Sequence, residues 1–594
     1  MLLLWLPLAA LSLLLLVGAG VTSVLARRFP ADAQVALAAP VGAAVLACTS
    51  PALHLGLSTA EVSLSVLVVF GTLTVASARR VLRALSHLAV PAAVALVALA
   101  VTAAPWVARG DWDAAGIATT DPYLWVSEAK ALLDGPPPSP AADYPDRLAS
   151  ERIDALDWPV GLPLGVAQIA TLAGLDPANA YGAWAVVLAV LLVLAVYAAA
   201  RACLEWSRRH AVIAALAFSL NALVLYSTFN GWQAQIALTL FGTLALVTYR
   251  LALDREASRL EVILPGVFIA AAAAVYGVLV GPFLLMLVAV VAGYAVSHRP
   301  VQYRGLVSTS VAVAAAAVVA GLVPLLRSAR QLLNMSSAAD GTAWDTYAHG
   351  LPVEAIGLVP RIGTTFRPPF AWTALATIAG VAVLVFALAS LRSVAHRRRD
   401  VLLSAGGGAV LVVAALNAPG PSPYVSLKFA AYAAPMITLL ALAGVIGRTG
   451  FPRIRVAAFG AAAFCFVAST AIVYEQARSH SMTLEPLQGV AASGETLPAD
   501  ARVGIALRDP WAQAWAVYFL RDRKVTVVAP TIYLTGFGLE APHLSRQPYE
   551  YVVDVDDPSR NADARDARAA PILVRRVEPG EAATVLASAP AVGP

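Results

Sequence analysis

The chain has 594 residues, of which 59% are hydrophobic and only 13% are charged, and its net charge is +5. Soluble domains contain about 25% charged residues, so this composition, with a mean hydropathy of +0.74, excludes an ordinary soluble protein. The arginines lie in short loops between apolar runs, which indicates membrane topology and argues against a nucleic-acid partner. The apolar runs are continuous rather than alternating, so they predict membrane-spanning helices instead of a barrel.

Apolar runs of about 18 residues or more can cross a hydrocarbon core of about 30 Å as a helix. By this criterion the sequence predicts about fourteen membrane spans. In chain order they are Leu2–Leu25, Val35–Ala52, Ser58–Ala76, Leu85–Ala108, Tyr181–Ala200, Ala211–Thr228, Gln233–Tyr249, Val262–Tyr276, Leu279–Val296, Leu306–Leu326, Ala371–Leu391, Val401–Leu416, Tyr424–Ile446 and Val456–Tyr474. No basic residue precedes the first apolar run, so we expect a retained helix rather than a cleaved signal.

The arginine-rich loops test this topology, because the positive-inside rule places them on one face of the membrane. They all fall on one face, which we take as cytoplasmic, provided that the short apolar segment Gly161–Leu175 does not cross. This segment contains Pro163, and we predict that it is an interfacial helix on the outer surface. Both termini, the acidic stretch Gly110–Tyr181 and the long loop Arg327–Phe370 then lie outside.

The composition changes at about Glu475, where the charge content becomes ordinary. Short β-like runs follow at Arg502–Leu507, Val525–Val528 and Tyr551–Val555, and Trp511–Leu520 has helical spacing. These elements predict a small α/β domain of about 110 residues outside the membrane, a size that can fold alone.

The predicted fold is therefore an all-α polytopic membrane protein of about 14 transmembrane helices with outer interfacial helices, plus a small C-terminal extracytoplasmic α/β domain. We divide the chain into three parts. Residues 1–84 hold additional N-terminal transmembrane helices, residues 85–474 form the transmembrane core with outer loops 109–180 and 327–370, and residues 475–594 form the extracytoplasmic domain.

Asp121 precedes Pro122 at the start of a predicted amphipathic helix that ends at Gly135. Asp before Pro commonly caps a helix, so a purely structural role is one interpretation. The position suggests another, because the carboxylate follows a spanning helix and lies beside Tyr123 and Trp125. A carboxylate in a partly desolvated site can act as a general base. Asp121 is therefore the first candidate catalytic residue.

Asp111 and Asp113 form an acid-x-acid pair in the same stretch and are the competing catalytic candidates. Trp112, between them, is also typical of an anchor at the membrane interface. We expect most of the other carboxylates in this stretch to be solvated or to cap helices.

The chain resembles a known superfamily in this region. An outer loop that begins with Asp121-Pro122-Tyr123, a second helix containing Pro and Gly at Trp158–Leu164 and an aromatic-flanked span after it resemble the GT-C membrane glycosyltransferases. The first motif is most similar to the oligosaccharyltransferase catalytic subunits and their mannosyltransferase and arabinofuranosyltransferase relatives. The resemblance implies a GT-C-like helical fold, often with an outer C-terminal domain. It also implies that Asp121 is the catalytic base or binds a metal.

The sequence departs from the family in two places. About three additional spans precede the span that leads into the acidic loop, so residues 2–76 are an addition without a readable role. The short loop Phe229–Gln233 holds no acidic pair, so we predict no metal ligands there, although a divalent cation, Mg²⁺ or Mn²⁺, stays compatible with the resemblance. The cysteines show no paired spacing for a disulfide or zinc site and are predicted to be packing residues; they are Cys48, Cys203 and Cys465.

Cations on the outer side are informative, because the positive-inside rule keeps them scarce there. Lys428 lies near the outer end of a span, in a segment similar to the Lys/Arg-plus-Tyr segment that contacts phosphate in many GT-C enzymes. The alternative is a lysine that snorkels to the interface. Arg361 and Arg367 lie where the long outer loop returns to the membrane and could clamp a phosphate. The alternative for these arginines is pairing with a nearby acid, namely Asp340, Asp345 or Glu354.

Five outer residues are candidates for binding sugar or acceptor. They are Tyr123, Trp232, Gln233, Trp344 and Tyr424. Aromatic side chains stack on sugars, but interfacial aromatic belts explain residues of this kind equally well.

The sequence therefore predicts a membrane glycosyltransferase that takes a sugar from a polyprenyl-phosphate donor and adds it, with inversion, to a glycan or glycolipid acceptor of the cell envelope. The composition suggests a bacterial plasma membrane, with the active site on the extracytoplasmic side. One alternative is a transporter or flippase of lipid-linked glycans, which would be expected to carry charges in mid-span and paired halves. The other is a non-catalytic envelope assembly protein.

Overall fold

The fold is given by a computed structural model. The residues that the structure describes are 4–113, 121–141, 143–155, 157–254, 260–277, 280–297, 303–337, 350–361, 369–391, 400–417, 423–446, 452–479, 484–507, 509–527, 550–555 and 572–577. Within these ranges the chain is mainly helical, and a small sheet lies near the C-terminus.

Helices of the membrane part are numbered in chain order. They are α1 (Trp5–Leu25), α2 (Ala31–Leu53), α3 (Thr59–Ala76), α4 (Ala78–Leu85), α5 (Ala89–Arg109), α6 (Asp121–Asp134), α7 (Arg147–Ala155), α8 (Gly161–Ala173), α9 (Pro177–Ala198), α10 (Arg208–Ser219), α11 (Ala222–Phe229), α12 (Gln233–Ala252), α13 (Ile263–Val275), α14 (Val280–Ser297), α15 (Tyr303–Ser337), α16 (Pro352–Ala355), α17 (Phe370–Ser390), α18 (Gly408–Ala415), α19 (Pro423–Ile446) and α20 (Pro452–Ser479).

The predicted spans all form helices, but not all of these helices are long. Among the described residues, ten are long and apolar enough to cross a membrane, or eleven if the pair α10 and α11 counts as one span bent by 50°. The other predicted spans are the shorter helices Ile263–Val275, Phe283–Ser297 and Leu402–Ala415. The count is thus lower than predicted, because hydropathy follows the apolar run and does not see where the helix ends. Asn221 is an example: its side chain accepts hydrogen bonds from Leu223 and Val224 and starts a new helix within one apolar run.

Ion pairs join the helix ends that the sequence places on one face. Arg201, which follows α9, lies 2.8 Å from Asp32 at the start of α2. Arg250, near the end of α12, lies 2.7 Å from Asp400, which precedes α18. The segments that carry Arg201 and Arg250 are therefore each paired with the start of another helical segment, which agrees with a common arginine-rich face, and the identity of that face as cytoplasmic stays a prediction.

The short helix α8 is packed inside the bundle. Its 13 residues span about 20 Å, which is too short to cross a membrane. Most of its residues are buried against α2, α6 and α9, so neighbouring helices cover it, and its position at the outer interface stays a prediction. Glycines permit this contact: a Cβ at Gly161 would lie 2.6 Å from the Ala274 carbonyl oxygen, and one at Gly165 would lie 2.7 Å from the Trp184 ring.

The N-terminal helices are part of the same packed unit. Helix α2 is buried along most of its length and packs against α8, α9 and α13. Tyr197 of α9 donates a hydrogen bond of 2.7 Å to Asp32 of α2. The prediction that the cysteines are packing residues is confirmed, because all three are free and buried.

The C-terminal part folds as the predicted α/β unit. Its elements are a turn of 3₁₀ helix (Glu485–Leu487), α21 (Gln488–Thr496), β1 (Arg502–Ile505), α22 (Pro510–Phe519), β2 (Lys524–Val527), β3 (Tyr551–Val555) and β4 (Ile572–Arg576). The strand order is β2-β1-β3-β4, with β1 parallel to both neighbours and β4 antiparallel to β3. Three strands and α22 were predicted. The strand β4 was not, because its short run ends in two arginines beside a stretch rich in Asp and Arg.

Candidate active site

Two residues singled out from the sequence meet where α12 and α19 begin. The Nζ atom of Lys428, in the second turn of α19, lies 3.8 Å from the ring centroid of Trp232, which directly precedes α12. Both side chains are 2% exposed. Lys428 therefore does not snorkel to a surface, and its ammonium group makes a cation–π contact in a desolvated place.

The turn that carries Trp232 is held by α9. Gly231 adopts a left-handed backbone (φ +68), which favours glycine. Tyr181 of α9 donates a hydrogen bond of 2.6 Å to the Gly231 carbonyl, and the Gln233 amide donates one of 2.6 Å to the Tyr181 carbonyl. The Oε1 atom of Gln233 is buried without a hydrogen-bond partner among the described residues. Buried polar atoms of this kind call for an explanation such as a bound water or ligand.

The acid-x-acid pair lies beside the same part of α9. The Gly182 amide donates a hydrogen bond to the Trp112 carbonyl at 3.0 Å. The segment that follows α5 therefore contacts α9 at the residue next to Tyr181. Asp111 and Asp113 flank this contact and share Arg109, at 3.5 and 3.4 Å. The structure thus brings the competing catalytic candidates close to the turn under Lys428.

Asp113 is hydrogen-bonded to the C-terminal part of the chain. Its Oδ2 atom accepts a hydrogen bond of 2.7 Å from the Leu484 amide. Burial, together with the charge of Asp111, raises the pKa of Asp113 to about 7. Asp111 is the more accessible of the pair, with 42% of its side chain exposed.

Helix α6 begins at Asp121, as the sequence predicts. The Asp121 side chain lies outside the described part of the structure, so its role stays a prediction. Tyr123, two residues later, is 1% exposed and packs edge-on against Trp515 of α22, with ring centroids 6.1 Å apart. Its ring is therefore covered by the C-terminal domain in this conformation.

Two buried carboxyls on this side of the molecule were not singled out from the sequence. Asp146 is fully buried, accepts a hydrogen bond of 2.5 Å from the Ser127 hydroxyl and lies 3.8 Å from Arg521. Burial raises the pKa of Asp146 to about 6 and that of Glu128 to about 7. Among the described residues, most of the other carboxylates of the stretch are solvated or cap a helix, as expected; Asp134, Glu151 and Asp154 are exposed and Asp176 caps α9. Asp146 differs because the C-terminal domain, through Arg521, lies against it.

The acidic stretch is the surface on which the C-terminal domain docks. Tyr518 donates a hydrogen bond of 2.5 Å to Asp176, whose carboxylate also caps α9 through the Ala178 amide. Arg521 donates to the Gly135 carbonyl at 2.9 Å, and the Val525 amide donates to the Asp143 carbonyl at 2.8 Å. These bonds tie α22 and β2 to the loop that carries Asp121.

Arg361 is paired with an acid of its own segment. Its guanidinium lies 2.8 Å from Glu354, and both side chains are buried. Glu354 is one of the three acids that the sequence analysis named as alternative partners to a phosphate. The neighbouring Ala355 carbonyl accepts a hydrogen bond from Thr438, which is about 15 Å along α19 from Lys428.

Three other candidates fall outside what the structure describes. Arg367 and Trp344 lie between described ranges, and Tyr424 belongs to α19 but its side chain is not described. Of the predicted site residues, the structure therefore brings together Lys428, Trp232 and Gln233, with Asp111 and Asp113 close to the same turn.

Among the described residues, no three His, Cys, Asp or Glu side chains come together as a metal site. Asp121, the acid to which the resemblance gives a metal or base role, is not part of that comparison. A divalent cation stays a prediction.

The fold and this site define a multi-pass membrane protein with a buried lysine near one end of its helical bundle and a docked α/β domain. No protein-family model and no curated protein matches the chain. Among solved structures, it is similar to the Archaeoglobus fulgidus oligosaccharyltransferase tethered with an acceptor peptide, with a TM-score of 0.47 and 12% identity over 83% of this chain and 74% of that chain. For the complex of that enzyme with Zn and sulfate, the TM-score is 0.45 and the identity 14%, over 78% of this chain and 68% of that chain.

A third similar structure is the arabinofuranosyltransferase AftD from Mycobacteria, with a TM-score of 0.49 and 16% identity over 80% of this chain and 36% of that chain. These enzymes are of the kinds that the sequence resemblance names.

Proposed function

We propose that the protein is an integral membrane glycosyltransferase of GT-C type. It transfers a sugar from a polyprenyl-phosphate donor to a glycan or lipid acceptor of the cell envelope. The observation that carries the proposal is the buried Lys428, held over Trp232 at the end of the bundle where the acidic loop lies.

The position of Lys428 suits a lipid phosphate. Burying an ammonium group costs free energy, and a cation–π contact offsets on the order of 2 kcal/mol of that cost. A phosphate oxygen next to this ammonium would be attracted much more strongly than in water, because the surroundings have a low dielectric constant. Positive charge of this kind stabilises a leaving group as its negative charge develops.

The reaction needs a base as well as a cation. The oxygen of an acceptor hydroxyl attacks the anomeric carbon, the bond between that carbon and the phosphate oxygen breaks, and polyprenyl phosphate leaves with the electron pair. The hydroxyl proton passes to a carboxylate, which we assign to Asp121 by resemblance, with Asp111 and Asp113 as the described alternatives. A single displacement of this kind inverts the anomeric centre.

Release of polyprenyl phosphate from a labelled lipid-linked sugar by purified protein tests the proposal. We expect the wild type to release it and Asp121→Asn to lose release by about a thousandfold or more, as enzymes do without a general base and its orientation. Asp134→Asn is the matched control, since it makes the same change on the same helix at an exposed residue. Full activity of Asp121→Asn would overturn the assignment of the base.

The same assay separates this function from its alternatives. A flippase would move the lipid-linked sugar across a vesicle membrane without releasing polyprenyl phosphate, and an assembly protein would do neither. We further propose that the active site and both termini face the extracytoplasmic side of a bacterial plasma membrane. The positive-inside distribution of arginines supports this orientation.

A further inference from the structure

The structure contains an apolar cavity of about 300 Å³ between the N-terminal helices and helices α8 and α9. Its lining is almost entirely hydrophobic and includes Leu14, Leu46, Leu67 and Trp184. An apolar cavity of about 150 Å³ in a soluble protein stays dry and binds apolar molecules. A cavity within spanning helices therefore fits a hydrocarbon ligand supplied by the membrane.

The cavity has a lateral opening between α3 and α8. Leu64 of α3 and Leu172 of α8 both line it, and they are 61% and 42% exposed on the outside of the bundle. Thr59, at the start of α3, donates a hydrogen bond of 3.1 Å to the Leu132 carbonyl of α6. The opening therefore lies next to the acidic loop, on the helix surface that contacts lipid.

The inner end of the cavity leads toward Lys428. A narrower cavity shares the walls formed by Gly165, Gln168 and Trp184 and is also lined by Ala237 and Phe241 of α12. These two residues follow Gln233 at four and eight positions, so they continue its face of the helix.

Helix α9 also connects the cavity to the turn that carries Trp232. Trp184, in the shared wall, is one turn from Tyr181, which holds the turn that carries Trp232. The two cavities, with the surfaces of α9 and α12 beside them, thus form an apolar path that starts at the opening and points toward the turn under Lys428.

We propose that this path binds the hydrocarbon chain of the polyprenyl-phosphate donor, with its phosphate at Lys428, and that α1, α2 and α3 form the outer wall of the chain site. This inference rests on the proposed function. It gives a role to the three N-terminal helices α1, α2 and α3. A donor chain fits better than a bulk phospholipid, because the helices that wall the inner end of the cavity also hold the turn beside a buried cation.

A pair of variants on α3 tests the proposal by direct binding. Ser63 lines the cavity, whereas Ser65, on the same helix, does not. Ser63→Phe should weaken binding of decaprenyl phosphate to the purified protein by about tenfold or more, because a ring in the cavity displaces several methylene groups of the chain. Ser65→Phe should bind as the wild type does. Farnesyl phosphate, which has a much shorter chain, should lose less affinity in Ser63→Phe.

Equal affinity of both variants for decaprenyl phosphate would overturn the proposal. So would displacement of bound decaprenyl phosphate by dioleoyl phosphatidic acid at equal concentration, since the cavity would then hold ordinary lipid.

Crosslinking guards against a folding defect and separates this inference from the proposed function. Cysteines introduced as Ser63→Cys and Ser65→Cys can be labelled with benzophenone maleimide, while the native cysteines are buried. Decaprenyl phosphate should crosslink at position 63 and not at 65. Crosslinking at 63 in a protein that releases no polyprenyl phosphate would leave the chain site standing and remove the transferase. Normal transfer without crosslinking at position 63 would leave the transferase standing and remove the chain site.

Discussion

Lys428 carries its charge in a place that water does not reach. The side chain is enclosed by α12 and α19 and lies against Trp232. Its neighbour Gln233 has a buried carbonyl oxygen without a hydrogen-bond partner among the described residues. At the scale of single residues, these groups form a buried polar arrangement at the end of the bundle where the acidic loop lies.

Replacing Lys428 tests its assigned role at the phosphate. Lys428→Met keeps most of the side-chain volume and its contact with Trp232, so the fold should persist. We expect kcat/KM for the lipid-linked sugar to fall by about a hundredfold to a thousandfold, as it does when one electrostatic contact to a developing charge is lost. Lys428→Arg keeps the charge and should retain more activity. Unchanged kcat/KM in Lys428→Met would contradict the role.

Glu128 gives a pH-dependent prediction. Burial raises the pKa of its carboxyl from the ordinary 4.5 to about 7, so the folded protein binds more protons than the unfolded chain between these values. Stability therefore falls as pH rises through this window. Removing the charge with Glu128→Gln should stabilise the protein at pH 8 by on the order of 3 kcal/mol, and by little at pH 4.

Thermal unfolding in detergent at both pH values measures this effect. Glu151→Gln is the matched control, because Glu151 has 48% of its side chain exposed and the substitution should leave the pH dependence unchanged. A Glu128→Gln variant with the melting curve of the wild type at pH 8 would show that the carboxyl is not desolvated.

At the scale of elements, the docking of α22 on α6 shows what the sequence could not reveal. Tyr123 and Trp515 are separated by most of the chain, yet they pack edge-on. Asp146 lies among polar residues in the sequence and therefore looks solvated, whereas the docked domain buries it completely. The sequence does predict α6, α22 and their boundaries, because helix starts and apolar periodicity are local signals.

Arg521 tests this interface. Arg521→Met removes the cation that lies 3.8 Å from Asp146 and frees the Gly135 carbonyl, so we expect a loss of about 1–3 kcal/mol in stability. Asp146→Asn in the same background should recover part of this loss, since the amide carries no charge. Arg523→Met is the control, because Arg523 is partly exposed and makes only a local contact. In limited proteolysis, the C-terminal domain should be cleaved fastest in Arg521→Met, more slowly in the double variant and slowest in Arg523→Met. Equal protection of the domain in all variants would contradict this interface.

At the scale of the whole molecule, hydropathy predicts where helices form better than how far they extend. Every predicted span is helical, but α13 ends before Tyr276, where the backbone turns away from helical geometry. Such a break is invisible in an unbroken apolar run. The contact between Lys428 and Trp232 is similarly a product of the fold, although both residues stand out in the sequence.

Labelling of introduced cysteines tests the orientation of the whole molecule. Ala492→Cys lies on exposed surface of the C-terminal domain, and Ser86→Cys lies on exposed surface after α4, on the face predicted to be cytoplasmic. A membrane-impermeant maleimide applied to intact cells whose plasma membrane is accessible should label position 492 and spare position 86. The opposite pattern would invert the topology and place Lys428 on the wrong side for an extracytoplasmic acceptor.

The most direct test of the central claim is the location of the donor phosphate in a cryo-EM structure of the protein bound to decaprenyl phosphate. The account predicts phosphate density about 3 Å from the Lys428 ammonium, with chain density running between α8 and α12 toward the opening at Leu64. Phosphate density bound to other cations, with Lys428 still enclosed and out of contact, would contradict it.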